Sequence, residues 1–240
     1  YRNSIWHRVG YVNWGYEAIG RFDSWEQIAN YPVDNDRKGN RTVVPGDIMY
    51  KDQNNDGVIN YLDERPIGYR VDSTPTLNFG INLSASWKGF DLAMDWTGSG
   101  MTSWNQCYET ARPFQNDGNS PDEVLKDAWH LSDIWDANSP LIPGKYPMVR
   151  LNTDETSAYD KSSYWLHNVT YLKLRNLEVG YTFPKTWLNR TGISNLSLFV
   201  SGTNLLTLSN LSVMDPECAS DNGLDYPPMR VINIGVNLKF

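Results

Sequence analysis

From Thr76 to Trp87 apolar side chains alternate with polar or small ones: Leu77, Phe79, Ile81, Leu83, Ala85 and Trp87 on one parity, Thr76, Asn78, Gly80, Asn82, Ser84 and Ser86 on the other. A period of two predicts a strand with one apolar face. Lys88-Gly89 reads as a tight turn, and beyond it Phe90, Leu92, Met94 and Trp96 alternate with Asp91, Ala93, Asp95 and Thr97, which predicts a β-hairpin. The alternation lapses from Gly98 to Asn168, where Pro, Gly, Asn, Asp and aromatics accumulate; one helix is expected from Pro121 to His130, behind an N-capping Ser120. Strand character returns at 171–182, 196–205 and 231–240. Within 171–182, Leu172 and Leu174 have one parity and Leu177, Val179 and Tyr181 the other, so a register shift near Arg175-Asn176, most simply a β-bulge, is expected.

The connections alternate in length: 88–89 and 183–195 are short, 98–168 and 206–230 long. Bacterial outer-membrane β-barrels have this asymmetry, with short periplasmic turns and long extracellular loops, and their strands cross the bilayer with only ~10 alternating residues. On this reading Leu77, Phe79, Ile81, Leu83, Trp87, Ile232, Ile234, Val236 and Phe240 face lipid. Trp87, Phe90, Tyr181 and Phe240 fall at the inner interface, where aromatic girdles sit. The expected fold class is therefore all-β: C-terminal antiparallel strands and extracellular loops of a large transmembrane β-barrel. Residues 1–75 are expected to form an extracellular loop region and 76–240 five barrel strands with outer loops 98–168 and 206–230. Five strands do not close a pore, and the chain opens at Tyr1 with no initiator Met or leader, so the remaining wall is expected upstream. A secreted β-sandwich, binding polysaccharide or accompanying a glycoside hydrolase, is the alternative, because its strands alternate too.

Composition narrows the partners. Ten Trp and 14 Tyr with only 20% charged residues favour strands and polar loops, and a formal charge of −7 without any Lys/Arg run argues against nucleic acid. His7, His130 and His167 stand alone, with neither the zinc spacing His-Glu-x-x-His nor a Gly-x-Ser-x-Gly elbow, so no catalytic residue and no enzyme is expected. Carboxylate pairs such as Asp133 with Asp136 or Asp122 with Glu123 read as solvated loop charge. Cys107 and Cys218 leave both a bridge and two separate thiols open.

Asp52, Asn54, Asp56, Gly57, Asn60 and Asp63 match positions 1, 3, 5, 6, 9 and 12 of a calcium loop, with Val58 placed to offer its carbonyl. Hard oxygen ligands at that spacing suit a structural Ca²⁺ that would stiffen an outer loop. Asp63 departs from the usual bidentate Glu and shortens the reach, flanking helices are missing, and a solvated Asx-Gly turn is the plainer alternative. Trp104, Tyr108, Trp129, Trp135 and Tyr146 crowd the long outer loop and are candidates for contact with substrate or a lid, loop-core packing being the alternative.

Several segments also resemble a known family. These are Pro45-Gly46-Asp47-Ile48-Met49-Tyr50-Lys51-Asp52 with Asn54-Asn55-Asp56-Gly57-Val58-Ile59 and Ile67-Gly68; Tyr171-Leu172-Lys173-Leu174-Arg175-Asn176-Leu177 with Gly180-Tyr181-Thr182-Phe183-Pro184; Val200-Ser201-Gly202-Thr203-Asn204-Leu205; and Asn13-Trp14-Gly15-Tyr16 with Gly20-Arg21-Phe22. They resemble SusC/RagA TonB-linked outer-membrane proteins from Tyr11 to Phe240, least well between Thr102 and Lys161. The resemblance implies a barrel in the bacterial cell outer membrane, in contact with its lipid, that imports glycans or oligopeptides beneath a SusD-like surface lipoprotein. It also implies coupling to TonB through an N-terminal part that this sequence does not include.

Overall fold

The structure is a computed structural model and describes residues 10–70, 74–151, 155–189, 192–217, 222–223 and 225–240. The described residues within 1–74, 103–168 and 219–225 form one compact unit, and those within 75–102, 169–218 and 226–240 form another.

The second unit is built on a five-stranded sheet in the order β11-β10-β9-β6-β5: β5 (Leu77–Trp87), β6 (Phe90–Asn105), β9 (Leu166–Thr182), β10 (Asn195–Ser209) and β11 (Val231–Lys239). β5 with β6, β9 with β10 and β10 with β11 are antiparallel, and their registers put like with like. Ile81 pairs with Trp96, Leu83 with Met94, Ala85 with Leu92 and Trp87 with Phe90. Across the other strands Val200 stands between Val179 and Ile234, and Leu198 between Tyr181 and Val236. Cross-strand apolar pairs of this kind stabilise a sheet, and a one-residue slip would turn every one of them over.

Lys88 (φ 48°) and Gly89 (φ 89°) both lie in the left-handed region, the geometry of a type I′ turn whose twist matches the flanking strands. A Cβ on Gly89 would stand 2.6 Å from the carbonyl oxygen of Thr182, so glycine is required there on two counts. Among its described residues the 183–195 connection contains a short helix, Lys185–Leu188.

The parity conflict in β9 is resolved where the sequence placed it. The register passes from Thr203↔Asn176 to Leu206↔Leu174, so β10 spends three steps against two on β9, with Asn204 at φ 53°. Arg175 and its neighbour Asn176 both reach polar partners on β6, Arg175 Nε donating to Thr97 Oγ1 (2.9 Å) and Asn176 Nδ2 to Asp95 Oδ2 (3.2 Å). An irregularity of this kind lets one strand change the face it presents to each side.

In the first unit, β1 (Val12–Gly15) pairs with β4 (Arg65–Arg70), β2 (Ala18–Arg21) with β3 (Ile48–Tyr50), and β7 (His130–Leu131) with β8 (Leu141–Ile142). Its core is aromatic. Trp165 takes Tyr146 and Tyr159 as stacked neighbours and Tyr164 edge-on, and Tyr16 lies 5.2 Å from Tyr50. Two polar ends are satisfied inside: Trp165 Nε1 donates to Ala158 O (2.8 Å) and the Tyr50 hydroxyl to Ser157 O (2.7 Å). Asp47 is held by Arg150 through both carboxylate oxygens, at 2.6 and 2.7 Å.

The expected helix is shorter than Pro121–His130: it covers Asp122–Lys126, and its N-cap is Pro121 rather than Ser120. Past Lys126 the backbone pairs elsewhere, Tyr146 N donating to Asp127 O (2.8 Å) and Trp129 N to Tyr146 O (2.9 Å), which draws 127–131 into extended structure.

Candidate functional site

Two places carry functional geometry: the apolar face of the sheet and the acidic loop between β3 and β4. On the sheet, Leu77, Phe79, Ile81, Leu83, Trp87, Ile232, Ile234, Val236 and Phe240 are 43–84% exposed. So are Val179, Leu198, Val200 and Leu238, of which all but Val179 lie on the even parity of their strands. A contiguous apolar face of this extent is a surface built for hydrocarbon or a partner, not for water. The opposite face is polar, with Ser86 Oγ donating to Asp91 (2.6 Å) and Ser99 Oγ donating to Asn78.

Aromatic rings gather at the short-turn end of the sheet. Phe90 lies 4.6 Å from Tyr181, Tyr181 5.1 Å from Phe183, and Phe183 6.0 Å from Trp187, while Lys88 Nζ sits over the Trp87 ring. The alternation identifies Trp87, Phe90 and Tyr181; Phe183 and Trp187 escape it because they lie in the connection, where no period applies.

In the acidic loop, one carboxylate oxygen from each of Asp52, Asp56 and Asp63 lies within 4.8 Å of the others. Asp52 receives the backbone N–H groups of Asn54, Asn55 and Gly57 at 3.2, 2.6 and 2.8 Å, and Gly57 (φ 83°) makes the sharp bend. Asp63 closes the loop, accepting from Gln53 N and Asn60 N, both at 2.8 Å. Buried Ile59 anchors it to the core, and Asp34 grips it from outside, its N–H donating to Gly57 O (2.8 Å) and its carbonyl accepting from Ile59 N (3.0 Å). Asp56 Oδ2 accepts from the side-chain amides of Asn54 (2.8 Å) and Asn60 (3.4 Å), and the Val58 carbonyl also accepts from Asn60 (3.1 Å). These amide N–H groups supply the positive ends that a cation would supply, while the amide oxygens of Asn54 and Asn60 accept from Asp56 N (3.1 Å) and Leu62 N (2.9 Å). The carboxylates of Asp52, Asp56 and Asp63 suit a hard cation in donor type, while Asn54 and Asn60 turn their amide N–H groups to Asp56 and to the Val58 carbonyl. The Asn54 amide, chiefly, holds the Asp56 carboxyl below its ordinary pKa.

The loop aromatics divide, and three of the expected contacts need correction. Trp104, Trp129 and Tyr146 are only 3%, 6% and 1% exposed and hold the loop together instead of reaching out of it. Trp129 covers Gly46, where a Cβ would stand 2.6 Å from the indole, and Tyr146 stacks on Trp165. Tyr108 and Trp135 are exposed, Trp135 at 90% on the β7–β8 turn. His130 Nδ1 is bonded to the Ala128 carbonyl, and His167 is stacked on Trp104 with its Nε2 on Gln106. Cys107 is half-buried; Cys218 and His7 lie outside the described residues.

No family model matches the chain. It is 30% identical over 242 residues to the TonB-dependent receptor P3 of Formosa agariphila, a match covering 93% of this chain and 22% of that receptor. It is 23% identical over 252 residues to the TonB-dependent receptor SusC of Bacteroides thetaiotaomicron, covering 98% of the chain and 20% of SusC. The solved structure of the RagAB peptide transporter superposes with a TM-score of 0.58 at 21% identity, over 95% of this chain and 22% of that one. Over nearly its whole length the chain is related to TonB-dependent receptors, SusC among them, and it shares the fold of the RagAB structure. It spans 20–22% of the length of these relatives, and its exposed apolar ladder is a segment of their barrel fold.

Proposed function

We propose that this chain supplies the C-terminal strands and outer loops of a bacterial outer-membrane importer. The apolar face of the sheet meets lipid and the polar face lines the interior. The free sides of β5 and β11 are continued by strands from the rest of the receptor, because a sheet edge cannot stand unpaired in hydrocarbon. The cargo is a glycan or an oligopeptide, passed from a SusD-like lipoprotein and drawn inward by energy that TonB delivers through the rest of the receptor; no bond is made or broken. The likeness to RagAB, a peptide transporter, supports the peptide half of that alternative.

The observation that carries this reading is the register-matched apolar face, exposed strand after strand. In a β-sandwich the same residues would be the buried ones. The acidic loop is proposed as a structural Ca²⁺ site, and Tyr108 and Trp135 as contacts for cargo or lid. The test is electrophoresis of the intact receptor extracted from outer membranes. A barrel runs faster unboiled than boiled and stays in solution only with detergent; a water-soluble monomer whose mobility ignores boiling would overturn the proposal.

A further inference from the structure

We propose that Asp215-Pro216-Glu217 is an ionic latch that pins the start of the β10–β11 connection to the polar face of the sheet. Tyr171, Lys173 and Arg175 follow one another at period two on β9 and all three reach this segment. Lys173 Nζ donates to both oxygens of Asp215, each at 2.7 Å, and to Glu217 Oε2 at 2.9 Å. The Tyr171 hydroxyl donates to Glu217 Oε1 at 3.0 Å, and Arg175 bonds the same oxygen. Two cations thus meet two carboxylates, and the charges balance within the cluster.

Burial makes the arrangement consequential. The Lys173 side chain is 1% exposed, and an ammonium shut away from water is strongly disfavoured once its carboxylates leave. Pro216 fixes its own φ and holds Asp215 extended, so the segment arrives stiff, and Glu217 N donates to Asp215 Oδ1 (3.0 Å). Ahead of the latch the chain is already tethered to β9, Thr170 N donating to Asn210 Oδ1 at 2.9 Å and Asn210 N to Thr170 O at 3.3 Å. Glu217 then forms one wall of a recess of ≈ 500 Å³ on the sheet, shared with Asn78, Thr97, Ser99, Tyr171 and Arg175. On the reading proposed above the polar face is the barrel interior, so the latched segment narrows the passage over that recess; the latch itself requires only the contacts named.

The test is hydrogen–deuterium exchange on the intact receptor in detergent, comparing wild type with Asp215→Asn/Glu217→Gln. The latch predicts that amides of 211–217 exchange ~tenfold faster or more in the variant, while the strand amides of β10 and β11 keep their protection. Because a stranded Lys173 can itself prevent assembly, the triple variant that adds Lys173→Met is measured in parallel, and it should assemble and show the same acceleration. Unchanged exchange in an assembled variant overturns the latch. So does failure of the triple variant to assemble, which would make the cluster part of the wall and not a clasp on it. Boiling-sensitive mobility of the wild type reports separately on the barrel reading.

Discussion

At Gly89 two demands coincide, a positive φ and the Thr182 carbonyl 2.6 Å from any added Cβ. Gly89→Ala is therefore expected to cost at least ~1–2 kcal/mol, the ordinary penalty for an L-residue in that region, read as an earlier loss of the unboiled band on heating. Gly80→Ala is the control, since its Cβ would meet nothing nearer than 3.6 Å. In the acidic loop, Asp52→Ala with Asp56→Ala should abolish a chelator-sensitive thermal shift; an identical shift in the variant would remove the ion from the account. The Asp56 carboxyl lies below its unfolded pKa, so what its ionised form adds to the loop is present above the ordinary aspartate range and lost as pH falls through the lowered value. Residue spacing made this loop legible, because Asx-Gly chemistry is local. Burial of Trp104, Trp129 and Tyr146 was not legible, since an aromatic that stacks on cargo and one that fills a core look alike until the loop closes around Trp165.

Elements were readable wherever one face needs apolar side chains at every second place. The hairpin of β5 and β6, its turn and the register shift near Arg175 all follow from parity. Parity alone ends β6 too early, and the reason is physical. Gly98 and Gly100 occupy the apolar parity opposite Phe79 and Leu77, and the Phe79 ring covers Gly98, so the strand continues to Asn105 after its pattern stops. The pairing of Lys173 and Arg175 with carboxylates 42–44 residues away leaves no local signal at all. The ladder itself makes a sharp prediction. Val200→Arg, between Val179 and Ile234, should cost ~2–4 kcal/mol near the bilayer centre and deplete assembled receptor. Ser201→Arg, one residue along and beside Glu178, should assemble normally. Equal yields of the two assembled variants would refute the assignment of faces.

For the whole molecule, what the chain contributes is a piece of wall: an open sheet with an apolar side, a polar side, an aromatic end and two free edges. Family and fold could be read from one sequence because a barrel wall repeats a single rule and the family's motifs are local strings. Cargo could not, because a fold does not name what it carries. The most direct measurement is a nitroxide scan of the intact receptor in lipid bilayers over residues 196–202 and 232–238, reading collisions with oxygen and with a water-soluble nickel complex. Two-residue oscillation is predicted, with even positions favouring oxygen and odd positions nickel; low collision rates with both reagents at the even positions, as between two stacked sheets, would contradict the account.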